Sequence, residues 1–220
     1  EVDMMLQERS NVAVHFVMND DPPGLFYPTN MMRNIAINGT YTEFVFLCDV
    51  DFVPVNNAEA LLSKYTATLQ RKHILVIPAL ESNKSHVSDI LLHSKEKLID
   101  TRHKTNVTQF HQDVCPQCHS RTNFTKWWTS NSLYKVQYLL PFEPYVVMYK
   151  SDVIKYTEYF VGRFFNKISF FYALNYDFYR FYVVPDVYSI HFAHYQKQAS
   201  WDHYECMRSL FEGQFKRDLS

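Results

Sequence analysis

Phe44-Val45-Phe46-Leu47-Cys48-Asp49-Val50-Asp51-Phe52 is the stretch on which the fold of this chain turns. Its first five residues are apolar without a break, the pattern of a strand buried on both faces, and the run stops at two acids. Ile74-Leu75-Val76-Ile77-Pro78 reads as a second buried strand, with a helix over 57–71 between the two. Upstream, Pro28 can open a helix over 28–38, because its missing N–H costs nothing at a first turn. Met31, Met32, Ile35 and Ala36 would then form that helix's apolar stripe. Residues 12–18 read as a short strand, and Asn19–Gly24 with its paired prolines as a turn. Strand, helix, strand, helix, strand is βαβ logic and predicts an α/β fold with a mostly parallel sheet.

Downstream, Ile90, Leu91, Leu98 and Ile99 sit at helical spacing in 87–99, and the polar, His- and Cys-bearing stretch 103–126 reads as loop. Residues 133–149 read as short extended pieces around two prolines, 164–175 as a helix, and 178–184 as a strand ended by Pro185. No repeat or linker interrupts the 220 residues, so 1–220 is read as one domain.

Composition excludes several functions. Only four glycines occur, too scattered for a G-x-G-x-x-G fingerprint or a P-loop, so a Gly-built phosphate cradle is ruled out. A formal net charge of -1 with no basic arm argues against nucleic acid as a partner. No apolar run is long enough to span a membrane, and no signal peptide is evident. Sequons at Asn38, Asn83, Asn106 and Asn123 favour the secretory pathway, with Asn106 in the most surface-like surroundings.

Four constellations carry chemistry. Asp49-x-Asp51 closes a buried strand, where a turning chain lets two hard carboxylates converge on Mg2+ or Mn2+ carrying phosphates. A solvated acidic turn is the plainer alternative. His191-x-x-His194 follows an apolar run, and one imidazole is able to complete a coordination sphere begun by the acids; packing is the alternative. Cys115-x-x-Cys118-His119 admits a zinc knuckle, a redox dithiol or a structural disulfide, of which the last is favoured because no second ligand pair is at hand. The rings from Phe124 to Trp128, with Tyr134 and Tyr138, suit either a sugar face or the core.

Several separated blocks then resemble one family, in order and almost end to end. Phe26-Tyr27-Pro28-Thr29-Asn30-Met31-Met32-Arg33-Asn34-Ile35-Ala36 is similar to F-Y-P-V-N-L-L-R-N-V-A. Phe44–Phe52 is similar to M-F-L-S-D-I-D-F, Thr122–Trp127 to T-N-F-x-K-W, and Phe142–Val147 to F-E-P-Y-V-V. Phe160-Val161-Gly162 with Asn166-Lys167 resembles F-V-G-x-G-x-N-K, and Val184-Pro185 with His191 resembles the closing L-P and His segment. These blocks resemble the glycosyltransferase family 49 domain, the glucuronyltransferase type found in LARGE-type enzymes and in beta-1,4-glucuronyltransferase.

The resemblance implies a GT-A-like fold with a mixed, mostly parallel central sheet, N-terminally truncated by the family's first strand-helix unit. It implies Mn2+ on Asp49, Asp51 and His191, and UDP-glucuronate as donor, with Asn30, Arg33, Asn34, Asp49, Asp51, Trp127, Asn166 and Lys167 around the nucleotide sugar. Glu143 and Glu158 are the implied catalytic or acceptor-orienting carboxylates. The implied reaction is an inverting transfer of glucuronic acid to a xylose-containing glycan on a glycoprotein such as dystroglycan. The setting would be the Golgi lumen, with a membrane anchor upstream, as part of a type II membrane protein. A degenerate homologue that binds sugar or a partner without turnover is the alternative. Two departures stand out: Phe164 where relatives have Gly, and Tyr156-Thr157 where they have Y-D.

Overall fold

The computed structural model describes residues 13–18, 26–82, 92–192 and 200–219. Its elements are α1 (Thr29–Asn38), β1 (Phe44–Leu47), β2 (Phe52–Pro54), α2 (Ala58–Thr66), β3 (His73–Ile77), β4 (Ala79–Ser82), α3 (Lys95–Thr105), β5 (Thr108–Gln109), α4 (Pro116–Ser120), α5 (Phe124–Thr129), β6 (Tyr134–Val136), β7 (Tyr145–Tyr149), α6 (Asn166–Tyr176), β8 (Arg180–Val183), β9 (Ser189–Phe192), α7 (Trp201–Leu210) and α8 (Lys216–Leu219). One turn of π-helix, Phe211–Phe215, joins α7 to α8.

The strands form two sheets, ordered β1-β7-β3-β8-β6 and β2-β9-β4-β5. Among the described residues only β3–β8 and β4–β9 pair in parallel; β1–β7, β3–β7, β6–β8, β2–β9 and β4–β5 are antiparallel. The expected mostly parallel sheet is therefore wrong: both sheets are mixed and antiparallel pairing predominates. The physical reason is specific. The pairings give β1, β3 and β8 one common direction, as βαβ logic requires, but β7 is inserted between β1 and β3 and runs against both. That insertion also leaves β1 at the edge of its described sheet, with only Val45 buried, where a strand buried on both faces was expected.

Three times the chain leaves the first sheet and enters the second: β1 to β2, β3 to β4 through Pro78, and β8 to β9. All three steps lie at the carboxyl ends of the co-directional strands, where open α/β sheets take ligands. The Asp49-Val50-Asp51 segment is the first of them.

The main core lies on and between the sheets, with Ile74, Leu75, Val146, Phe181 and Ile190 sealed from solvent. Trp127 belongs to it. Its ring is 0% exposed and its indole N–H donates to the Val184 carbonyl at 3.0 Å. A ring so placed fills the core, so the expected sugar-side position for Trp127 does not hold; Tyr134 and Tyr138 are buried likewise. A smaller cluster of Phe160, Phe165, Met207, Phe211 and Phe215 anchors α7 and the π-turn.

Local expectations fare unevenly. Residues 13–18 carry no strand, and residue 12 lies outside the described residues, as do Asn19–Gly24, 87–91, Asn83 and His194. The stretch 103–126 holds the end of α3, β5, α4 and the start of α5 rather than a plain loop. In α1 the buried residues are Asn30 and Asn34, not the expected stripe of Met31, Met32, Ile35 and Ala36. Those amides face the 156–166 segment, whose backbone needs hydrogen-bond partners more than it needs apolar cover.

Phe164 and Phe165 both adopt left-handed backbone, φ 68° and 54°, just after Gly162 at φ 66°. Phe164 thus keeps the conformation a glycine takes freely, at a cost of about 1–2 kcal/mol. Its ring packs against Tyr204, with centroids 5.2 Å apart, on α7. Gly162 has less freedom to change, because a Cβ there would meet His203 Nε2 at 3.0 Å and Phe26 Cδ1 at 3.1 Å. Gly162→Ala is expected to destabilise the fold by about 1–3 kcal/mol, read as a lowered midpoint in thermal denaturation.

Candidate functional site

The site is built on the step from β1 to β2, where Asp49 and Asp51 turn to different partners. Asp49 is ringed by groups from three elements. Arg33 of α1 reaches its Oδ1 at 2.9 Å, Lys167 in the first turn of α6 reaches its Oδ2 at 2.8 Å, and the Tyr145 hydroxyl of β7 donates to Oδ2 at 2.9 Å. Burial by itself would raise this carboxyl. The charges of Lys167 and Arg33, with the hydrogen bonds from Lys167 and Tyr145, outweigh it and hold Asp49 well below the usual carboxylate range. Lys167 also donates to the Tyr145 hydroxyl at 3.1 Å, and its ammonium lies 4.5 Å from that ring's centre.

Arg33 is aimed by its surroundings. Its Nη1 donates to Asn30 Oδ1 and to Asn166 Oδ1, each at 3.0 Å. Asn30 in turn donates to the Thr157 carbonyl at 2.9 Å, and Asn166 to the Gly162 carbonyl at 2.8 Å. Asn34 donates to the Tyr156 carbonyl at 2.9 Å and accepts from the Tyr156 N–H at 2.8 Å. Asn30, Asn34 and Asn166 therefore position the cations and the 156–166 segment, while Arg33 and Lys167 carry the charge. A cleft of about 280 Å³ opens beside them, lined by Arg33, Ile37, Phe44, Phe46, Tyr145 and Lys167 among others.

Asp51 faces the second sheet. Its Oδ2 lies 3.5 Å from His191 Nε2, and Glu81 Oε2 lies 3.3 Å from His191 Nδ1. The register explains this: His191 sits opposite Phe52 on one side and Glu81 on the other. His191 is only 2% exposed. Asp51 and His191 are thus brought together, whereas Asp49 is engaged by Arg33 and Lys167. Among the described residues no group of three or more His, Cys, Asp and Glu side chains is arranged to hold a metal ion.

The two carboxylates expected to do chemistry differ sharply. Glu143 is half-buried just before β7, and burial, only partly offset by Lys167 and Arg33, pushes its carboxyl above the usual range. Among the described residues no donor meets its carboxylate, and its backbone N–H donates to the Cys118 carbonyl at 3.0 Å. Glu158 is the opposite case. It accepts from Asn34 Nδ2 at 2.9 Å and pairs with Lys155 at 3.0 Å, and these contacts hold its carboxyl below the usual range. It is an exposed clasp on Asn34.

Cys115 and Cys118 are joined in a disulfide, which leaves no thiolate for zinc and decides among the three readings of that motif. Sequence reasoning singled out His119 only within the Cys115–Cys118 motif, and missed Tyr145 and Glu81 as site residues. Tyr145 had a signal, lying two residues after Glu143 on the same extended stretch. Glu81 had none, since only the pairing of β4 with β9 brings it to His191.

Known proteins share this arrangement of blocks. A family model described as "Glycosyl-transferase for dystroglycan" matches residues 4–220. The chain is 34% identical over 225 residues to Xylosyl- and glucuronyltransferase LARGE2s of Gallus gallus, covering 98% of this chain and 30% of that protein. It is 33% identical over 231 residues to LARGE2 of Rattus norvegicus, covering 100% and 32%, and 33% identical over 225 residues to LARGE1 of Homo sapiens, covering 98% and 29%. The chain therefore spans about a third or less of the curated relatives' length. With the match running through the Asp49 step, Glu143 before β7 and His191 alike, this chain belongs to the glycosyltransferase family described as acting for dystroglycan.

Proposed function

We propose that this domain is an inverting, metal-dependent glycosyltransferase of GT-A type, moving glucuronic acid from UDP-glucuronate to a xylose-ended glycan on a glycoprotein such as dystroglycan. Its setting is the Golgi lumen, within a type II membrane protein. The observation that carries the reading is the pair of fixed cations, Arg33 and Lys167, on Asp49 beside the cleft. Their charges suit an anionic donor, and Arg33 is held in place by Asn30, Asn166 and Asp49. The names of the relatives, which pair xylosyl with glucuronyl transfer, support the sugar class.

Asp51 and His191 fit Mn2+ in donor chemistry, a hard oxygen beside an imidazole nitrogen. Asp49 would complete a third ligand position only if it were released from Arg33 or Lys167. A bound Mn2+ supplies Lewis-acid neutralisation of the departing diphosphate. The chain's own residues do the rest. Glu143, unpaired and raised, accepts the proton of the acceptor hydroxyl. That oxygen bonds the anomeric carbon as the bond to UDP breaks, and the bonding pair leaves with UDP. Arg33 and Lys167 hold the negative charge that develops there.

A second reading, a homologue that binds sugar without turnover, draws on the neutralisation of Asp49 by two cations. Release of UDP from UDP-glucuronate by the full-length protein, with para-nitrophenyl β-xyloside as acceptor, separates the two. Product formation that stops with EDTA and returns with Mn2+ is expected. No UDP release with Mn2+, Mg2+ or Co2+ would leave only the second reading.

A further inference from the structure

The sequons at Asn38, Asn106 and Asn123 fall on described residues, and the structure separates them. Asn38 ends α1, and Thr40 of the same sequon donates its hydroxyl to the Ile37 carbonyl. Ile37 and Thr40 both line the cleft beside Arg33, so an oligosaccharide on Asn38 would crowd the site. Asn123 caps α5. Its Oδ1 accepts from the Lys126 N–H at 3.1 Å, which holds the amide against the first helical turn.

Asn106 is under neither constraint. It follows α3 in left-handed backbone, φ 52°, a conformation that Asn takes more readily than most residues with a side chain. The turn is firmly rooted: the Asn106 backbone N–H donates to the Arg102 carbonyl at 3.1 Å, and the Thr105 carbonyl accepts from the Ser82 hydroxyl at 3.0 Å. The Asn106 side chain itself is exposed and has no hydrogen-bond partner among the described residues, and the same is true of Thr108. The amide that takes the sugar and the hydroxyl two residues on, which together define a sequon, are therefore both accessible.

The surroundings suit a bulky, hydrophilic attachment. Thr108 opens β5, the outermost strand of the second sheet, which pairs only with β4 among the described residues. An outer strand offers unpaired backbone groups to other chains, and covering it blunts that hazard. Neither Asn106 nor Thr108 lines the cleft beside Asp49, so bulk here leaves the site open. The Cys115–Cys118 disulfide is a bond that persists in oxidising compartments, the secretory lumen among them.

We propose that Asn106 is an N-glycosylation site that receives a preassembled oligosaccharide from a lipid diphosphate carrier. Asn106 Nδ2 bonds the anomeric carbon of the first sugar as the bond from that carbon to the diphosphate breaks. The bonding pair leaves with the lipid diphosphate, and the amide proton goes to a base of the transferring enzyme. This rests on the luminal setting proposed above.

The test is expression of the full-length protein in cultured animal cells, followed by peptide-N-glycosidase F in heavy-oxygen water, which marks each formerly glycosylated Asn. Peptide mass spectrometry should find the mark at Asn106. Asn106→Gln and Thr108→Ala should each remove one and the same glycan, a single step in gel mobility that disappears after deglycosylation. An unmarked Asn106 in the wild type overturns the proposal, whatever the other sequons carry. Protease added to sealed microsomes tells two failures apart. A protected protein with a bare Asn106 sinks the site alone, whereas a digested domain sinks the luminal setting with it.

Discussion

Glu143→Gln is expected to lower the rate of glucuronosyl transfer by about 10²–10⁴-fold, the usual worth of a positioned general base, with KM for UDP-glucuronate little changed. The amide keeps the shape of the side chain and its place before β7 but cannot accept the proton. The pH dependence has a definite sign. Burial raises the Glu143 carboxyl, and only its ionised form is a base, so wild-type activity should fall as pH drops through that raised value. The activity left in the Gln variant should lack this acid limb. Stability moves the other way. The folded protein binds the Glu143 proton more tightly than the unfolded chain, so stability declines as pH rises from the ordinary carboxylate range through the raised one. Glu143→Gln is therefore expected to match or exceed the wild type in thermal midpoint near neutral pH while losing activity. A variant that keeps more than about a third of the wild-type rate would remove Glu143 from the chemistry.

Asp49→Ala should damage both fold and function. Arg33 and Lys167 converge on this carboxylate, and its removal leaves two partly buried cations facing each other across the step from β1 to β2. Breaking a buried ion pair costs roughly 3–5 kcal/mol, and the partial exposure of Asp49 brings the expected loss to about 2–3 kcal/mol. Transfer should fall at least about a hundredfold, because the cations lose the contact that aims them. The linkage here runs opposite to that of Glu143. Asp49 is held below its unfolded range, so its contribution to stability is full above that range and is lost as pH falls through it toward the depressed folded value. Acid titration followed by circular dichroism should show wild type losing its advantage over Asp49→Asn below about pH 4. Equal stability of the two across the whole range would mean that the pairs on Asp49 contribute nothing.

How much of this was legible in the sequence depends on the distance over which each feature is encoded. The strands at 44–48 and 74–78 and the helices near 28–38, 57–71 and 164–175 are written in local runs and periods, and the structure has elements at each. The common direction of β1, β3 and β8 follows from the same local logic. The insertion of β7 does not. It joins Phe44 to Tyr149 and Leu75 to Val147, pairings across long stretches of chain that no local pattern specifies. Arg33, Asp49 and Lys167 were reached through separate sequence blocks, yet nothing in those blocks says that the three would meet as a cation pair on one carboxylate. Trp127 misled for a simple reason: a large ring with a polar handle looks the same in sequence whether its N–H meets a sugar or the Val184 carbonyl. The Asn30 and Asn34 positions misled because hydropathy assigns the buried face of a helix to its greasy residues.

Those two asparagines have a mechanical consequence. A helix seated by apolar side chains is free to roll a few degrees about its axis, since dispersion contacts tolerate sliding. Hydrogen bonds lose strength steeply with angle, so α1, riveted to the backbone at Thr157 on one turn and at Tyr156 on the next, has its azimuth locked. Arg33 stands between the two rivets, and the direction of its guanidinium is set before any ligand arrives. The entropy of orienting that charge is spent during folding, not when an anion arrives.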